Sequence, residues 1–140
     1  MEFETVNEPK EIYGLNNLIY KEEVYKIISC CFEVHNNLGK GFSEVVYKDA
    51  LMHEFNSTGI IYAREKKFEI KYKNVILPHY YFADFLIFDE IILEVKAQTG
   101  DGVMEDHFKQ VINYLAASKC KLGLLVNFGG SNLQFKRIIL

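Results

Sequence analysis

The sequence predicts an α/β domain in which a mixed β-sheet is covered by helices. Three observations predict it. Apolar residues recur every three or four positions in two stretches of the first half and again near residue 110, the spacing of amphipathic helices. Runs rich in β-branched and aromatic residues lie between and after them. One such run, Ile91 to Val95, is followed by the third helical stretch and then by another apolar run, Lys121 to Phe128. A strand-helix-strand crossover joins parallel strands, whereas the tight turn before Ile91 joins antiparallel ones, so the sheet must be mixed.

A chain of 140 residues suits one domain, which buries roughly two thirds of its unfolded surface. Residues 1–18 hold Pro9, Gly14 and paired asparagines and read as an acidic, flexible arm; residues 19–140 read as the single domain. No apolar run approaches the ~20 residues of a membrane span, so no membrane partner is expected. The polar, acidic start is unlike a secretory signal. Cys30, Cys31 and Cys120 have neither disulfide-framework nor zinc spacing and read as buried thiols of a cytoplasmic protein. The net charge of −3 argues against nucleic acid, but residues 1–23 carry −4 and leave the remainder at +1. That balance is compatible with phosphate contact.

Taken in order, the first helix runs from about Ile19 to Leu38, with Val24, Ile27, Ile28, Cys31 and Val34 on its apolar side, and ends at Gly39. His35 reads as a core-edge residue. Gly39-Lys40-Gly41 breaks the chain, and Ser43 is placed to cap a second helix ending at Asn56 to Gly59. Glu44 stands in the first turn of that helix, where the dipole favours a carboxylate. Tyr47, one turn on, shares its face. Lys66 to Tyr72 alternates as a half-exposed strand. With Arg64, Lys66, Lys67, Lys71 and Lys73 this is the most basic segment, either a sheet edge guarded by lysines or a phosphate contact.

Pro78 is expected to start the next strand, which carries Asp84, and Asp89-Glu90 to turn it into Ile91 to Val95. This latter run is apolar enough to be buried on both faces. The loop Gln98 to Gly102 leads to a helix from about Met104 to Ser118. Met104, Phe108, Val111 and Leu115 form its inward stripe, and His107, Gln110 and Tyr114 the neighbouring one. Gly129-Gly130 turns the chain into an edge strand, Leu133 to Ile139, which leaves a homodimer open.

Side chains alternate along a strand, so Glu94 and Lys96 share a face, with Asp84 in hairpin reach. Buried isolated charges cost several kcal/mol each. A plain ion pair at the strand end would offset that cost, and so would a metal ion held by the carboxylates. Magnesium prefers oxygen ligands. Phosphodiester hydrolysis needs an acidified water and a neutralised leaving oxygen, and a nearby lysine adds charge where the transition state becomes more negative. Glu44, Asp84, Glu94 and Lys96 are the set that this reaction requires.

The order of elements, with an acid at a helix start, Asp84 on one strand and Glu94-Val-Lys96 on the next, resembles the PD-(D/E)xK nuclease superfamily. Within it the chain resembles the GxxExxY family through Gly41-Phe-Ser-Glu44-Val-Val-Tyr47. Further matching motifs are Glu33-Val-His35, Tyr81-Phe-Ala-Asp84, Leu93-Glu94-Val-Lys96, Gln110-Val-Ile-Asn-Tyr114-Leu115 and Leu124-Leu-Val-Asn-Phe128-Gly129. The resemblance implies a restriction-endonuclease-like fold with core order α-β-β-β-α-β. It also implies Asp84 and Glu94 as ligands of Mg2+ or Mn2+, with Glu44 completing the shell or binding one of its waters. Lys96 would orient the attacking water, and Gln110 would touch that shell or the substrate backbone. Tyr47 and Tyr114 would support the substrate side. Ala83 stands where the superfamily pattern has proline. The activity implied is a nuclease on DNA or RNA; the alternative is a catalytically silent module that binds nucleic acid or a protein.

Overall fold

The computed structural model describes residues 4–5, 19–99 and 105–140. The elements are β1 (Glu4–Thr5), α1 (Lys21–Leu38), α2 (Glu44–Thr58), β2 (Tyr62–Tyr72), β3 (Val75–Ile87), β4 (Ile91–Lys96), α3 (Glu105–Ser118), β5 (Leu122–Asn127) and β6 (Gln134–Ile139). They build a six-stranded sheet in the order β1-β6-β5-β4-β3-β2. β4 and β5 are parallel, joined through α3, and the other pairs are antiparallel. The mixed α/β sheet expected from the sequence is therefore present, with a short additional strand at one edge.

Every residue of β4 and β5 is buried, because helices cover both faces. Val24, Ile27, Ile28, Leu51 and Phe55 pack on one face with Phe85, Leu93, Val95 and Val126. Val111, Tyr114 and Leu115 of α3 pack on the other with Ala83, Ile92 and Leu125. Gly123 is required at the second contact. A Cβ there would lie 2.5 Å from Val111 Cγ1, so α3 could not settle as close to β5.

Helix ends follow the glycines. Gly39 (φ 68°, ψ −162°) and Gly59 (φ 73°, left-handed helical) close α1 and α2 at positive φ, which a residue without a Cβ adopts freely. Ser43 occupies the cap position of α2, but its side chain makes no capping hydrogen bond. His35 is buried at the core edge, with Nε2 2.9 Å from Gly130 O. Cys30 and Cys31 are buried thiols, whereas Cys120 is only half-buried.

Three further expectations need correction. β3 is one strand of 13 residues that runs through Pro78 rather than starting there. The β2–β3 register shifts between Glu69 and Lys71, opposite the Pro78 stretch, and β4 does not extend that far; the missing N–H of proline is tolerated at such a place. The β3–β4 turn centres on Phe88 and Asp89, both at positive φ (56° and 58°), with Glu90 N–H donating to Ile87 O at 3.1 Å. That is the two-residue turn whose twist suits a hairpin. β6 is not a bare edge, since Glu4 and Thr5 pair with Phe135 and Gln134. The rest of the 1–18 arm, most of the loop before α3, and Met104 lie outside the described residues.

Candidate functional site

The site forms where β3 and β4 part. Their ladder runs through Ile87↔Ile91, Leu86↔Ile92 and Phe85↔Leu93 and stops there. The next main-chain groups are taken over by side chains. The Asp84 N–H donates to Glu94 Oε1 at 2.8 Å, and the Val95 N–H donates to Asp84 Oδ2 at 2.8 Å. Each carboxylate thus satisfies a backbone donor of the opposite strand that the parted ladder would have left orphaned. The same bonds fix both carboxylates in place.

A local break in β3 aims Asp84. Phe85 packs with the α1–α2 side of the sheet, whereas Ala83 packs with the α3 side. Regular alternation would put both on one face. Opposite Asp84, between the pairs Arg64↔Phe85 and Lys66↔Ala83, Glu65 lies at φ 54°. The register is the same on both sides of it, so the departure lies in the backbone conformation and adds no residue.

Lys96 follows Glu94 on the same face of β4, with Nζ 3.6 Å from Glu94 Oε2. It donates to Gln110 Oε1 of α3 at 3.2 Å. Tyr114, one turn after Gln110, is buried beside them; burial, then the carboxylates of Glu94 and Asp84, raise its pKa, so it stays a neutral phenol. From the other side, Lys48 of α2 donates to Asp84 Oδ1 at 2.9 Å and to Glu65 Oε1 at 2.6 Å. Burial disfavours the Lys48 ammonium, but these two carboxylates outweigh it and raise its pKa. Glu94 is pushed up to about 8, first by burial and then by the charge of Asp84; the Asp84 N–H and the Lys96 ammonium only partly oppose this.

The structure therefore brings Asp84, Glu94, Lys96 and Gln110 together, with Tyr114 behind them. It does not bring Tyr47 there. That side chain is buried against Phe128, with ring centroids 4.6 Å apart, and its hydroxyl donates to Gly39 O at 2.7 Å and lies 3.3 Å from Phe42 N. Its role is to tie down the loop between α1 and α2. Glu44 is half-buried one turn before Lys48, on the helix face that reaches Asp84, but forms no hydrogen bond with the cluster. Among the described residues no three His, Cys, Asp or Glu side chains gather closely enough to hold one metal ion. The expected trio of Glu44, Asp84 and Glu94 is thus not assembled. Lys48 and Glu65 are site residues that the sequence reading missed. The i, i+4 spacing of Glu44 and Lys48 could have pointed to Lys48; nothing in the sequence marks Glu65.

Comparison with known proteins bears on the fold and the family. A family model for the PD-(D/E)XK nuclease superfamily matches residues 21–138. The solved structure of SSO0001 is similar, with a TM-score of 0.54 at 18% identity, over 94% of this chain and 61% of that one. The chain thus spans less than two thirds of that protein, and at this identity the likeness concerns the fold. No curated protein matches the chain. With a matched span that runs from the start of α1 into β6 and takes in every element of the site, the chain belongs to the PD-(D/E)XK nuclease superfamily.

Proposed function

We propose that this protein is a divalent-metal-dependent nuclease that hydrolyses phosphodiester bonds of DNA or RNA, and that its Gly41-Phe-Ser-Glu44-Val-Val-Tyr47 motif places it in the GxxExxY group. The observation that carries this reading is the interlocked pair Asp84 and Glu94 with the Lys96 ammonium 3.6 Å from Glu94.

The donor set suits Mg2+ or Mn2+. Both carboxylates are hard oxygen donors, and both already draw positive charge. Lys48 sits on Asp84, and Glu94 holds a proton to unusually high pH. Magnesium keeps several waters, so two protein carboxylates are enough to anchor it. Asp84 and Glu94 would hold the ion, and Glu44 would act from one turn before Lys48 through a water of its shell. When bound, the ion supplies an acidified water and a counter-charge for the leaving oxygen.

The chain's own residues do the rest. Lys96, kept in place by Glu94 and Gln110, donates to the attacking water and to the phosphate oxygens as their charge grows. Gln110 fixes the Lys96 ammonium through its amide oxygen. Tyr114, held neutral, offers a hydroxyl and no charge. Glu94 is nearly enclosed, whereas the side chains of Asp84 and Lys96 stay 12% and 10% exposed. Phosphate would accordingly approach over Asp84 and Lys96.

Titration calorimetry tests the metal assignment. Mn2+ is expected to bind the wild type, and Asp84→Asn is expected to weaken binding by tenfold or more, because one ligand charge is lost. Equal affinities would remove Asp84 from the ion's ligands. A second reading is favoured by the enclosure of Glu94 and by Lys48 seated on Asp84: a nuclease-fold module that binds nucleic acid or a protein without turnover. No heat with millimolar Mn2+ would favour that reading. Among the described residues no helix is long and apolar enough to cross a membrane.

A further inference from the structure

From Val75 to Asp84, β3 is paired with β2 alone, because β4 reaches only Phe85–Ile87. This part of the hairpin leaves the sheet as a two-stranded ribbon. One side of it is covered: Phe68 and Tyr81 pack against the α3 cluster, with the Tyr81 and Tyr114 rings 5.6 Å apart. The other side is bare. Tyr80 and Phe82 are 56% and 47% exposed and meet edge-to-face at 5.5 Å. Lys67 Nζ lies 4.5 Å from the Tyr80 ring centroid.

A two-stranded ribbon that exposes aromatic rings must be covered by something or put them to use. The charge indicates which. Lys67 stands opposite Phe82 on the bare face and Glu69 opposite Tyr80, whereas Lys66 stands opposite Ala83 on the covered one; with Lys71 and Lys73 toward the tip, both faces of the ribbon together carry a net of +3 in a chain of net −3. Aromatic faces combined with lysines are what unpaired nucleotides require: bases stack on the rings while phosphates pair with the ammonium groups. A duplex hides its base faces and cannot use the rings in this way.

We propose that this face of the ribbon binds a single-stranded stretch of nucleic acid, with bases on Tyr80 and Phe82 and backbone phosphates against Lys67 and the lysines at the tip. Phe82 lies two residues before Asp84 and Tyr80 four, roughly 7 and 13 Å along the strand. A strand held there would run along β3 toward Asp84, on the face away from α3. This last step rests on the nuclease reading; the binding itself does not.

The chain has no tryptophan, so Phe82→Trp places one reporter on the platform. Titration with a labelled oligothymidine, an RNA of mixed sequence and a blunt DNA duplex is carried out in EDTA, where no cleavage occurs. Single strands are expected to quench the tryptophan and to bind at least tenfold more tightly than the duplex. Tyr80→Ala is expected to weaken single-strand binding about tenfold, and Lys67→Ala to lower the salt slope by about one. Both side chains are exposed, and circular dichroism confirms that the variants fold. Equal binding of duplex, indifference to Tyr80→Ala, or displacement by polyglutamate as readily as by an oligonucleotide would overturn the proposal. So would a dimer in sedimentation that Tyr80→Ala dissolves. Binding through the ribbon without cleavage in Mn2+ would uphold this inference and defeat the nuclease reading; cleavage that ignores Tyr80→Ala would do the reverse.

Discussion

Lys96→Ala is expected to lower phosphodiester cleavage by about 10²–10³-fold, the usual loss when one transition-state donor is removed, while the domain stays folded. The ammonium is anchored on both sides, by Glu94 Oε2 at 3.6 Å and Gln110 Oε1 at 3.2 Å, so its position is set before any substrate arrives. Removing it leaves Glu94 able to keep its proton, and the stability cost is expected to stay within about 1–2 kcal/mol. Gel assays with labelled single- and double-stranded DNA and RNA in Mg2+ and Mn2+ give the rates, and circular dichroism checks the fold. Cleavage that persists in purified Lys96→Ala protein would sink the catalytic assignment.

The second large effect is a pH dependence of stability in the absence of divalent ions. Glu94 has its pKa pushed up to about 8 in the folded chain, from an ordinary value of 4.5. Between those values the folded state holds a proton that the unfolded state has lost. Stability therefore falls as pH rises, because ∂ΔG/∂pH follows protons bound unfolded minus protons bound folded. The favourable contribution is complete below about pH 4.5 and gone above about pH 8, a change on the order of 3–5 kcal/mol. In EDTA the melting temperature is expected to drop by roughly 10 °C between pH 5 and pH 8. Glu94→Gln is expected to flatten that slope, since the amide oxygen still accepts the Asp84 N–H without titrating. Saturating Mn2+ at pH 8 should restore stability by binding only the folded state. Equal slopes for wild type and Glu94→Gln would show that Glu94 titrates normally.

Much of the scaffold was legible because local signals set it. Gly39 and Gly59 marked the ends of α1 and α2, and the unbroken apolar run of β4 marked a strand buried on both faces. The period-two relation of Glu94 to Lys96 held at the level of atoms. What escaped depends on tertiary geometry. Tyr47 and Lys48 stand three and four residues after Glu44, so spacing marks both as its neighbours and only packing decides which of the two turns to the core. Packing on Phe128 took Tyr47, which left Lys48 to face Asp84. The left-handed Glu65 opposite Asp84 has no sequence signature, because glutamate rarely adopts that conformation. Pro78 looked like a strand boundary only because the register shift beside it was invisible in one dimension.

The crossed bonds between Asp84 and Glu94 have one more consequence. The main-chain amides of Asp84 and Val95 are held by ionisable side chains instead of by a neighbouring strand. Their nitrogen-15 resonances and their exchange with deuterated solvent are therefore tied to the charge on those two acids. Any change of charge on those acids can thus be followed spectroscopically in the unaltered polypeptide, at two main-chain nitrogens.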